Sequence, residues 1–192
     1  MQICVFSLDR KCKRAYLSIM EITNTQLGFL ENTHASKRFM PAIEVKITTL
    51  HAWNTRGFMN FDKPGSGKSL YLSGGEIILA RCLFILQKAG CAPSILGSRG
   101  LNEGIESFVN SCIEAYEENR DFEPEYLVYR VSPWVDGLDT GYYDAEWQLK
   151  PKDDFFGPHI TEAHKSKAYA FCCVLDLSQI FQEMSSRVMK TY

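Results

Sequence analysis

The chain has 192 residues, 45% hydrophobic and 23% charged, with a formal net charge of −2. A chain of this length buries roughly 70% of its unfolded surface as one domain, so residues 1–192 are expected to form a single globular unit with its own core. Such a composition excludes an intrinsically disordered chain, and the balanced charge without a dense Lys/Arg run argues against nucleic acid or anionic lipid as partner.

The first stretch, MQICVFSLDRKCKR, carries its charges after a short apolar patch, the reverse of a secretory signal, and no apolar run reaches the roughly 18 residues of a membrane span. Residues 1–8 and 14–22 read as short strands, and Met20 offers an alternative start that would make residues 1–19 dispensable. The seven cysteines are an odd number without paired Cys-x-x-Cys motifs. That pattern suits buried thiols in a reducing, cytoplasmic setting rather than disulfides or zinc.

From residue 42, AIEVKITTL alternates Ile43, Val45 and Ile47 with Glu44, Lys46 and Thr48, the period of a half-buried strand. Gly57, Pro64, Gly65 and Gly67 mark a loop over 54–67, and KSLYLS then reads as a short strand. Residues 74–89 are apolar nearly all round and predict a central buried helix, whereas 102–119 carries its glutamates on one side and predicts a surface helix. EYLVYRV (125–131), YYDAEWQL (142–149) and AYAFCCVLDL (168–177) read as strands, and Asp176 with Gln179 starts a last helix. The expected fold is α+β: a mixed or mostly antiparallel sheet of five to six strands with three main helices, the 74–89 helix buried against it.

KPGSGKSLYLSGGE superficially combines the end of a phosphate-binding P-loop with an ATPase signature. A P-loop needs a glycine five positions before its Gly-Lys pair, where this chain has Asp62, and a helix directly after it, where this chain continues as a strand. Ser73 and Glu76 instead have the spacing of a capping box at the start of the buried helix.

Glu44-Val45-Lys46 has the Glu-x-Lys form of metal-dependent nucleases, but the upstream aspartate that pattern needs is replaced by Glu21 and Glu31. An ordinary Glu/Lys strand face is therefore expected, and no metal. His159 and His164, five residues apart, do not share a helix face, and the second His-x-Thr of a two-histidine phosphoesterase is missing.

Three segments in order, LHAW (50–53), GKSLYLS (67–73) and PEYLVYRV (124–131), resemble the His-Tyr-Glu segments of ADP-ribosyltransferases of the poly-ADP-ribose polymerase and diphtheria-toxin type. The resemblance implies NAD as substrate. It implies that a strand-borne His51 anchors the ribose and carboxamide, that Tyr71 stacks on nicotinamide, and that Glu125 is the catalytic glutamate. A carboxylate preorganised beside the ribose lowers the barrier to glycosidic cleavage by stabilising the cationic transition state. The function expected is thus NAD-using transfer to a small-molecule or protein acceptor, or NAD hydrolysis.

The alternative is a non-enzymatic protein-binding or accessory domain. Its basis is the aromatic stretch 133–156, with Trp134, Tyr142, Tyr143, Trp147, Phe155 and Phe156 as an exposed patch. Homo-oligomerisation stays open.

Overall fold

Apolar residues at nearly every position from Ile77 to Leu86 leave that segment no face to offer water, and it becomes the axis of the fold. The computed structural model describes residues 3–6, 21–62, 64, 65, 68–97, 100–123, 125–132, 144–151 and 171–190. In chain order these form β1 (Ile3–Phe6), α1 (Asn24–Glu31), β2 (Thr33–Ala35), α2 (Ser36–Ile43), α3 (Ile47–Thr55), β3 (Tyr71–Ser73), α4 (Gly74–Lys88), α5 (Pro93–Leu96), α6 (Leu101–Glu117), β4 (Glu125–Ser132), β5 (Asp144–Pro151), β6 (Phe171–Asp176) and α7 (Leu177–Met189).

The helix expected over 74–89 is α4, and α1, α2, α5, α6 and α7 all pack against it. Its N-terminus is closed by the anticipated capping box. The Ser73 hydroxyl accepts from the Glu76 amide at 3.2 Å, and the Glu76 carboxylate accepts from the Ser73 amide at 2.7 Å. Two donors that a helix start leaves without intrahelical partners are thereby satisfied, an arrangement worth about 1 kcal/mol.

The α+β class holds, but the expected single sheet of five to six strands with three main helices does not form. The described strands divide between a four-stranded sheet ordered β1-β6-β4-β5 and a separate antiparallel ribbon of β2 and β3. In the larger sheet β1 runs parallel to β6, and the other neighbours are antiparallel. Leu127 pairs with Leu175 and Tyr129 with Cys173; these side chains face the helices and join the main core, whereas Tyr126, Val128 and Val174 form a small cluster on the opposite face.

Rings join the helices. Phe181 of α7 lies 6.2 Å from Phe29 of α1 and 5.9 Å from Phe108 of α6, which meets Phe122 edge-on at 5.6 Å.

The strand expected over 42–50 is also absent. α2 ends at Ile43, Glu44 takes the left-handed conformation (φ 60°) with its amide donating to the Met40 carbonyl, and α3 begins at Ile47. Phe39, Ala42, Ile43, Leu50 and Trp53 are the buried residues of these helices, at helical rather than alternating spacing, while Ile47 is 38% exposed. The left-handed turn is unfavourable for a side-chain-bearing residue, and tertiary contacts to the Glu44 side chain accompany it. The weakly periodic residues before Pro41 form α1, β2 and much of α2; the strand expected over 14–22 falls outside the described residues, apart from 21 and 22, which are not in a strand.

Two glycines are required by contact. A Cβ on Gly74 would stand 2.4 Å from the Phe29 carbonyl oxygen and 2.9 Å from Leu30 Cα, so α1 and α4 meet backbone to backbone there. Gly100, at φ 92°, would place a Cβ 2.5 Å from the Trp147 carbonyl oxygen. Gly74→Ala is expected to cost about 2 kcal/mol because the obstruction is backbone. Gly75→Ala meets only Val109 Cγ2, at 3.5 Å, and is expected to be neutral or to stabilise by about 0.5 kcal/mol. Urea denaturation of the two variants checks the contrast; equal effects would contradict the close approach.

Candidate functional site

Pleating decides where Tyr71 points. In the ribbon, Leu72 pairs with His34 and both face the core, so Tyr71, opposite Ala35, is turned outward and is 58% exposed. The loop before it is held in place. The Asn54 side chain donates to the Phe61 carbonyl at 2.9 Å and accepts from the Phe61 amide at 3.1 Å, while Met59 and Phe61 are buried. The Lys68 amide donates to the Gly65 carbonyl at 3.0 Å.

Between this loop, β3 and the start of α4 lies an open groove of about 760 Å³, lined by Asn60, Phe61, Asp62, Lys68, Tyr71 and Glu76 among others. An aromatic face is combined there with a cation and two carboxylates. One oxygen of Glu76 is engaged at the cap. Lys68 lies in an irregular stretch ahead of β3 rather than at a helix start, where a P-loop places its lysine.

The other two residues named by the His-Tyr-Glu pattern lie elsewhere. His51 is on α3, not on a strand as the resemblance implies, because residues 47–55 are helical. It is half-buried, with its ring 5.9 Å from the ring of Phe61, and does not itself line the groove. Glu125, the first residue of β4, donates its amide to the Ser178 hydroxyl at 3.0 Å. Its carboxyl is pushed up to about 7, chiefly by burial, with the Arg120 charge and a Ser111 hydrogen bond acting in the opposite direction. Ser111, Cys112, Arg120, Glu123 and Ser178 are its neighbours, and none of them lines the groove. Tyr71 therefore sits in the groove, His51 stands next to Phe61, and Glu125 has separate surroundings.

Asn60, Asp62 and Lys68 were not singled out by sequence as groove residues, and adjacency to Tyr71 was the only signal available. In the aromatic stretch, Trp147 is buried (3% exposed), donates its indole N–H to the Ile95 carbonyl at 3.2 Å, and lies against Tyr129. It is a core residue rather than the exposed anchor expected. Trp134, Tyr142, Tyr143, Phe155 and Phe156, like His159 and His164, fall outside the described residues.

Glu44 of the Glu-x-Lys segment binds arginines. Its two carboxylate oxygens accept from Arg81 at 3.2 Å and Arg187 at 3.1 Å, and both arginines also pair with Glu183, at 3.1 and 2.8 Å. Among the described residues, no group of three or more His, Cys, Asp or Glu side chains is placed to hold a metal ion. Cys82 and Cys112 are buried, and burial raises both thiols.

The chain matches no known protein-family model and no curated protein sequence.

Hydrogen bonds from Arg81, then from Arg187, hold the Glu44 carboxyl below its ordinary value of 4.5. A lowered folded-state value contributes stability above the unfolded value and loses it as pH falls through the folded one. Glu44→Gln is accordingly expected to be less stable than wild type at neutral pH and to lose less on acidification below about pH 4.5. Thermal melts across that range check this; parallel pH curves for the two proteins would contradict it.

Proposed function

We propose that the protein binds a small ligand that joins a planar ring to anionic groups, of the nucleotide class, in the groove before α4, and that NAD is the first such ligand to test. The observation that carries this reading is Tyr71, whose exposed ring borders the groove beside Lys68. Stacking of a heterocycle on an exposed aromatic ring contributes about 1–3 kcal/mol, and a lysine within the same groove supplies a cation for phosphate. The volume suits a ligand of that size. NAD is chosen because segments within residues 50–131 resemble the His-Tyr-Glu segments of ADP-ribosyltransferases.

A second reading, glycosyl transfer or hydrolysis at NAD with Glu125 as catalytic glutamate, is favoured by the lowered acidity of that carboxyl, pushed up to about 7, which suits acid–base work near neutral pH. It requires Glu125 to reach a ribose whose base is held at Tyr71. The helical His51 and the separate neighbours of Glu125 weigh against it, so binding is the reading preferred. The protein-binding alternative loses Trp147 as an anchor, since that ring is buried.

NAD, ADP-ribose and AMP at about ten times their Kd are expected to raise Tm by about 3 °C, and Tyr71→Ala to weaken binding roughly tenfold. No shift with any of the three, or an unchanged affinity in the Tyr71 variant, overturns the binding reading. Nicotinamide release from NAD is expected to stay at the blank level. Release that disappears in Glu125→Gln would establish the transferase or hydrolase reading instead.

A further inference from the structure

We infer that Glu125 is a proton-operated catch at the junction of α6, β4 and α7: neutral, it allows the junction to close, and ionised, it works against closure. One carboxylate oxygen, Oε2, is sealed from solvent and has no hydrogen-bond partner among the described residues. An oxygen so placed is tolerated far better on a neutral carboxyl than on a carboxylate, whose charge needs water or donors. Through the hydrogen bond that its backbone N–H donates to the Ser178 hydroxyl, the same residue ties the start of β4 to the start of α7. Its side chain is hydrogen-bonded to Ser111 on α6, and its charge is felt by the neighbouring Cys112, so ionisation bears on three elements together.

Charges around it do not offset ionisation fully. Arg120 is the nearby cation, but it is paired with Glu118 at 2.6 Å and Glu114 at 4.0 Å. Glu123 opposes a second negative charge, and the Cys112 thiol is itself raised by Glu125. On the flanking strands, Lys150 and Asp176 stand opposite Tyr126 in the register, the position whose side chain takes the other face of the sheet.

The direction in pH follows from the carboxyl being raised from 4.5 to about 7. Stability from the closed junction is full below about pH 4.5, falls as pH rises toward 7, and is flat above.

Hydrogen exchange by mass spectrometry on the whole chain, corrected for the intrinsic pH dependence of exchange, tests the inference without any ligand. Between about pH 5 and pH 7.5, peptides spanning 111–132 and 177–182 are expected to lose protection about tenfold in wild type and to change little in Glu125→Gln. Ser111→Ala, which removes a bond favouring the charged form, is expected to move the midpoint to higher pH. No loss in wild type, or an equal loss in Glu125→Gln, overturns the inference. Should Glu125→Gln fail to fold, an unmoved midpoint in Ser111→Ala overturns it equally.

Discussion

A helix with no wet face has to satisfy its own start, and the closure of α4 is the constraint on which the rest of the molecule depends. Ser73 and Glu76 supply the missing partners, while Gly74 permits the α1 backbone to touch the first turn where any side chain would hold it away. That contact brings the end of α1 beside β3, and the short ribbon of β2 and β3 follows, extended by the Ser36 amide donating to the Leu70 carbonyl at 2.8 Å. Tyr71 owes its outward position to this sequence of steps. The residue that faces the groove is set two positions before the residue that caps the helix.

The interior of α4 carries a second constraint. Arg81 is 3% exposed, and a guanidinium so deep is destabilising unless its charge is met. It is met by Glu44 from the α2–α3 bend and Glu183 from α7, with Arg187 completing a four-membered cluster of balanced charge. One Arg81 nitrogen, Nε, has no hydrogen-bond partner among the described residues. Because Glu44 is also the residue in left-handed conformation, the bend between α2 and α3 and the docking of α7 are secured by the same ions.

Two chemically distinctive places result. The groove combines an exposed ring with mixed charge at the entrance to α4, and the Glu125 junction places a carboxyl in a poorly solvated setting between α6 and α7. Ser111, Cys112, Arg120, Glu123 and Ser178 do not line the groove, so the exposed ring of Tyr71 and the carboxyl of Glu125 belong to separate places in the fold.

Sequence alone determined the elements whose signals are local. α4 and its Ser73–Glu76 cap, α6, α7 with Asp176 accepting from the Gln179 amide, and strands β4 to β6 were all legible, because apolar period and caps act within a few residues. The outward face of Tyr71 does not belong to that class: alternation fixes only that Tyr71 and Leu72 take opposite faces, and the pairing of Leu72 with the buried His34 decides which one is turned out. Tertiary structure decided what distant partners control. Residues 43–47 alternate like a strand, yet they end one helix and begin another, with Glu44 bound to arginines 37 and 143 positions away. Likewise Glu125 could be named from the resemblance, but its lowered acidity comes from burial in the packed fold, and the Ser178 hydroxyl that its amide meets lies 53 positions along the chain. Periodicity reports which face a residue can bury; only the packed fold settles what it is buried against, and therefore its charge.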